Sequence, residues 1–94
     1  MNREEITALQ QCLTVQKQGV PRPIVQVERL MQRHTPEELE AYLGSVRRDY
    51  RKKIQHLFEI DPGNPQLDHL VIVIFRLNMA IKLMRERRMA KEAA

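Results

Sequence analysis

The chain has 94 residues and a formal net charge of +4, and 43 % of its residues are hydrophobic and 30 % charged. That length is enough for one domain but not for two, and the composition excludes a disordered chain. Trp is absent, and there are only two Phe and two Tyr. The core must therefore consist of aliphatic side chains, and we expect a single all-α domain over residues 1–94.

Cysteine content and hydropathy indicate where such a chain resides. Cys12 is the only cysteine, so an intrachain disulfide is impossible, which fits a reducing compartment. The segment Met1–Glu5 is acidic and no apolar run follows it, unlike a secretory signal. The longest apolar run, Leu70–Phe75, is far shorter than the roughly 20 residues that span a membrane. We expect a soluble, cytoplasmic protein without membrane contact.

The first helix is predicted over residues 3–18. Asn2 and Glu5 have the spacing of a capping box at its start. Apolar residues then recur every three or four positions, as on one face of a helix. Gly19 followed by Pro21 predicts its end.

A second, shorter helix is predicted over residues 23–33, beginning at Pro23 in the favoured first position. The segment Ile24–Val27 is also compatible with a short strand, because three of its four residues are β-branched. We expect a helix here because the apolar spacing stays helical beyond this segment.

The third helix, residues 36–58, has the clearest start signal. Thr35 is a good N-cap, Pro36 suits the first helical position and Glu38 completes a capping box. A nearly continuous apolar seam then extends from Leu39 to Leu57 at helical spacing.

The fourth and longest helix, residues 65–91, is predicted to be apolar on two faces, with a charged tail from about residue 85. Leu70–Phe75 would also fit a buried strand, but the helical spacing continues to Met84 and favours a helix. A helix that is apolar on two faces is usually buried on both. Its two stripes are Leu67, Leu70, Val71, Ile74, Leu77, Ile81 and Met84, and Ile72, Phe75, Met79 and Leu83.

The fourth helix also predicts a homodimer. At about 40 Å it is longer than a compact domain of this size is wide, and three shorter helices cover roughly one side of it. A symmetric dimer is the common way to cover the remainder. The alternative is a monomer in which the second helix and the connecting segments complete the coverage. The candidate interface residues are Val71, Ile74, Leu77, Ile81, Met84 and Met89.

The third helix carries a cationic strip formed by Arg47, Arg48, Arg51 and Lys52, which are neighbours at i,i+4 spacing. Such a strip is compatible with a solvated helix face, with a phosphate backbone or with an acidic protein partner. Zinc-finger spacing, a Gly-rich loop and an aromatic stacking cluster are all missing from the sequence, so nothing else supports nucleic-acid binding.

Catalytic and metal-binding patterns are not found in the sequence. His34, His56 and His69 lie in different segments without ligand spacing, and Cys12 lies on a helix flank as a small core residue would. We therefore expect no enzymatic activity, cofactor, metal or small-molecule substrate.

The expected function is a non-enzymatic protein-interaction module, a small dimeric helical regulator or adaptor. It would bind a protein partner through the fourth helix or the basic face of the third. The alternative is a nucleic-acid-binding regulator that uses the cationic strip of the third helix.

Overall fold

A computed structural model describes residues 1–15 and 17–93, and of Ala93 only the backbone. The described part contains no strand, so the all-α prediction is confirmed, and Ile24–Val27 and Leu70–Phe75 are helical. The helices are α1 (Arg3–Thr14), α2 (Pro23–Leu30), α3 (Pro36–Ile60) and α4 (Gln66–Ala93).

The predicted capping box starts α1. The Glu5 backbone N–H donates to Asn2 Oδ1 at 2.8 Å, and the Asn2 N–H donates to Glu5 Oε1 at 3.0 Å. The second carboxylate oxygen of Glu5 lies 2.9 Å from His34 Nε2, which joins the start of α1 to the turn between α2 and α3. The Asn2 backbone N–H and the His34 ring together hold the pKa of Glu5 below its usual 4.5.

We expect the Glu5 carboxylate to stabilise the fold above pH 4.5 and to lose this contribution as the pH falls through its lowered pKa. Because the pKa is lower in the folded state, the unfolded chain binds the proton more readily, and acid favours unfolding. Glu5→Gln keeps a side-chain oxygen that can accept the capping hydrogen bond from the Asn2 N–H, but the new side chain does not titrate. Its melting temperature should lie below that of the wild type at about pH 7, and by a smaller margin at about pH 3. A deficit that is the same at both pH values would contradict this role.

The end of α1 lies earlier than predicted, at Thr14 instead of residue 18. Val15 has an extended backbone, with φ −120° and ψ 124°, and so terminates the helix. The Arg76 guanidinium of α4 donates to the Leu13 carbonyl at 2.6 Å and satisfies one of the free carbonyls at the helix end. The two residues are 63 positions apart in the sequence, so no local sequence pattern predicts this contact. Gln16, within the predicted range, lies outside the described residues.

Helix α2 also ends earlier than predicted, at Leu30 instead of residue 33. The chain tightens after this point, since the Arg33 N–H donates to the Leu30 carbonyl three residues back at 3.0 Å. The short turn then leads directly into α3.

Only one half of the predicted capping box forms at the start of α3. Thr35 Oγ1 accepts a hydrogen bond from the Glu38 N–H at 3.2 Å. The Glu38 carboxylate does not return to Thr35, and its Oε2 lies 3.5 Å from His34 Nδ1 instead. At its other end, α3 continues two residues beyond the predicted residue 58, to Ile60.

Helices α3 and α4 form an antiparallel hairpin, because Arg47 contacts Asn78 while the earlier Glu40 contacts the later Arg85. Helices α1 and α2 pack against α4 and complete one core. The core residues are Leu9, Cys12, Leu13, Val27, Leu30, Leu39, Leu43, Val73, Leu77, Ala80, Ile81 and Met84.

None of the described helices combines the length and the hydropathy that a membrane crossing requires.

Candidate functional site

Helix α4 presents two apolar faces, and the other three helices cover only one of them. The covered face lies fully within the core of a single chain. Such a face contributes to the stability of the monomer and offers nothing to a partner. Its residues are Val73, Leu77, Ala80, Ile81 and Met84.

The opposite apolar face of α4 is exposed. Between 42 % and 65 % of the surface of each of its four large side chains is accessible. They extend along about 12 Å of the helix and form one contiguous apolar surface. We call this surface the α4 outer face, and it consists of Val71, Ile72, Phe75 and Met79.

The α4 outer face continues onto the first turn of α2. A shallow cleft of about 310 Å³ lies between the two helices, and Pro23 and Ile24 line it opposite Phe75 and Met79. Ile24 is exposed as well. The apolar surface is therefore wider than one helix.

Two opposite charges flank the α4 outer face. Asp68 and Lys82 lie seven residues before and after Phe75, which is close to two turns in either direction. All three side chains therefore point to one side of the helix, with an anion at one end and a cation at the other. Lys82 Nζ is 4.0 Å from Glu86 Oε1, and an exposed ion pair at that distance contributes little.

The predicted interface residues fall into three groups by their burial in the structure. Leu77, Ile81 and Met84 are buried within one chain and are not accessible on its surface. Ile74 is half-buried against the same core. Val71 and Met89 are exposed, as an interface requires.

The candidate interface residues named from the sequence do not include Ile72, Phe75 and Met79. These residues belong to the second apolar stripe of the fourth helix, which the sequence analysis recognised but did not assign to a surface. The signal was present, but the pattern of one helix does not say which of two stripes faces its neighbours.

The cationic strip of α3 is divided by the fold. Arg48, Arg51 and Lys52 are exposed. Arg47 is half-buried and turns towards α4, where its NH1 donates to Asn78 Oδ1 at 2.9 Å.

Arg47 forms a second cationic site together with arginines of α4. A cleft of about 380 Å³ opens between α3 and α4, and we call it the arginine cleft. Within it, the Glu40 carboxylate holds two arginines, with Arg85 Nε at 2.8 Å from Oε1 and Arg88 NH1 at 2.9 Å from Oε2. The charged residues that line the cleft are Arg47, Arg48, Arg85, Arg88, Glu37 and Glu40.

The electrostatic environment of Arg47 is unfavourable. Burial lowers the pKa of its guanidinium, and the neighbouring cations Arg51, Arg85 and Arg48 lower the same pKa further. Glu40 acts in the opposite direction with a smaller effect. The cleft therefore has an excess of positive charge that its own carboxylates do not neutralise.

The thiol of Cys12 lies in the core and not on a reactive surface. Cys12 is buried, its Sγ lies 3.0 Å from the Leu9 carbonyl, and burial raises the pKa of the thiol to about 11. Such a thiol stays protonated at neutral pH and is a poor nucleophile. Within residues 1–15 and 17–93, no group of three or more His, Cys, Asp or Glu side chains could hold a metal ion.

No family model matches the chain, and comparison with curated proteins and with solved structures finds no significant similarity. The features that bear on function are therefore its two distinctive surfaces, the α4 outer face and the arginine cleft.

Proposed function

We propose that this chain is a non-enzymatic protein-interaction module, a small regulator or adaptor, that pairs with a second copy of itself through the α4 outer face. The observation that carries the proposal is the exposure of Phe75 and its three large apolar neighbours on a helix whose opposite face already fills the core. Burying apolar surface of this size is the usual driving force of association.

Charge complementarity supports a second copy as the partner. When two copies of α4 pack antiparallel about Phe75, Asp68 of each chain lies opposite Lys82 of the other, because both are seven residues from the centre. The two-fold symmetry produces this attractive pair twice. The apolar centre and the charged ends are therefore complementary to themselves in this orientation.

A parallel arrangement is unfavourable by the same reasoning. In parallel register Asp68 faces Asp68, Lys82 faces Lys82 and Glu86 faces Glu86, so each charged position meets a like charge. The charges thus select the antiparallel orientation, while the apolar residues supply the attraction.

The dimer should be reversible and should dissociate into folded chains. The core of one chain is complete without a partner, since Leu77 and Met84 are fully buried. The outer face is also narrow compared with the roughly 800 Å² that each partner buries in a standard interface. We expect a dissociation constant on the order of micromolar.

Sedimentation equilibrium tests both the dimer and its orientation. The weight-average mass should rise from 11.1 kDa towards twice that value over about 1 µM to 1 mM protein. Asp68→Lys or Lys82→Asp alone should weaken association roughly tenfold, because each creates two like-charge contacts. The double variant should regain most of the loss.

Asp49→Lys, an identical change at an exposed position of α3, is the matched control and should leave association unchanged. A mass of 11.1 kDa at every concentration would refute self-association. A double variant no better than either single variant would refute the antiparallel orientation but leave the face itself in place.

A further inference from the structure

We propose that the arginine cleft between α3 and α4 binds the phosphate group of a small anionic ligand. This site is separate from the α4 outer face and does not depend on self-association. It also revises the expectation from sequence that the chain takes no small molecule.

An unsatisfied donor in the wall of the cleft supports the proposal. Arg47 Nε is buried and has no hydrogen-bond partner among the described residues, although buried polar groups are nearly always paired. The hydrogen bond from its NH1 to Asn78 holds the guanidinium in place. Because Nε is sealed from solvent, a phosphate oxygen would supply the acceptor that it lacks only after neighbouring side chains of the cleft move to admit the ligand.

The charge of the cleft matches a phosphate better than a carboxylate. Four guanidinium groups face two carboxylates, which leaves an excess of two positive charges. A phosphate monoester carries about −1.5 to −2 at neutral pH, whereas a carboxylate carries only one negative charge. Arginine also suits this ligand, because its planar group donates two parallel hydrogen bonds to a phosphate.

Gly44 keeps the cleft open. It lies in the middle of α3 and lines the cleft, where glycine makes a helix less stable than alanine would. Packing does not require glycine here, since an added Cβ would meet no atom within 4 Å. A residue that lowers helix stability without a packing reason is expected where the open space beside it serves binding.

The size of the cleft favours a small ligand. Its volume of about 380 Å³ is at the lower end of the range for ligand pockets, about 300–1,000 Å³. A nucleic-acid duplex would contact the exposed Arg48, Arg51 and Lys52 along α3 and would not need the space above Gly44.

Isothermal titration calorimetry with inorganic phosphate and with glycerol phosphate tests the site. We expect saturable binding at one site per chain, with a dissociation constant of about 1 mM or lower for at least one probe. A preference for glycerol phosphate would indicate an organic phosphate monoester as the natural ligand, and a preference for inorganic phosphate would indicate the free ion. Arg47→Gln should weaken binding by at least about tenfold, because it removes the central donor.

The Gly44 variants separate binding from folding. Gly44→Ala should raise the melting temperature but weaken binding in part, because its methyl group enters the cleft, whereas Gly44→Leu should remain folded but lose binding by filling the cleft. Lys52→Gln removes an exposed cation on the same helix and is the charge-matched control for Arg47→Gln.

Three outcomes would overturn the site. The first is the absence of saturable heat with either probe up to about 20 mM. The second is equal weakening by Lys52→Gln and Arg47→Gln, which would indicate diffuse attraction to a cationic surface. The third is binding of duplex DNA without phosphate binding and unaffected by Gly44→Leu, which would assign these cations to nucleic acid.

Discussion

Leu77→Asp is expected to unfold the protein, whereas Phe75→Asp, two residues away on the same helix, should leave a single chain folded. Leu77 is fully buried in the core, while Phe75 is 65 % exposed. An unpaired carboxylate buried in an apolar core costs several kcal/mol, comparable with the total stability of about 5–15 kcal/mol for a small domain. At Phe75 the new carboxylate stays in water and costs the monomer little.

Leu77→Ala makes this contrast quantitative. Removing the buried side chain should lower the free energy of unfolding by about 2–5 kcal/mol, through lost burial and the cavity left behind. Phe75→Ala should change it by no more than about 0.5 kcal/mol when measured on the monomer. Urea unfolding followed by circular dichroism at low protein concentration measures both values. Equal losses in the two variants would mean that α4 is buried on both faces in one chain.

The second large effect is expected on association. Phe75→Asp should abolish the dimer, with a loss of at least about 100-fold in affinity, or roughly 3 kcal/mol. Two large aromatic contacts disappear at the centre of the two-fold interface, and two carboxylates approach each other there. Sedimentation at about 10 µM, where the wild type should be mostly dimeric, should then give close to the mass of one chain, 11.1 kDa, with the helical circular dichroism of the wild type.

Phe58→Asp is the matched control for this experiment. Phe58 lies near the end of α3 and is 61 % exposed, so the substitution has the same chemistry and a similar exposure on another surface. It should leave the dimer intact. A dimer that survives Phe75→Asp but dissociates in Phe58→Asp would transfer the interface to the end of α3.

Local signals were sufficient to predict where α1, α2 and α3 begin. Asn2 and Thr35 accept hydrogen bonds from backbone N–H groups three residues ahead, and Pro23 and Pro36 occupy the first positions of their helices. Such contacts join residues close in sequence, so a short pattern predicts them. The end of α1 was not predictable in this way, because Arg76 contacts it from a distant helix.

The candidate sites were less predictable, because each combines residues distant in sequence. The cationic strip was recognised from neighbouring positions on one helix, but the arginine cleft pairs Arg47 with Arg85 and Arg88 of α4. Only the antiparallel packing of α3 on α4 brings these groups together. The unsatisfied Nε of Arg47 likewise results from burial, which the sequence does not report.

The long fourth helix shows where sequence information ends. The sequence by itself determined that this segment is helical and apolar on two sides, because periodicity specifies the angles between side chains on one helix. It did not determine how the helix is rotated relative to its neighbours. The tertiary structure decided that rotation when the other helices covered the face that contains Leu77. Phe75 and its apolar neighbours were thereby left on the outside, where we propose that a second copy binds.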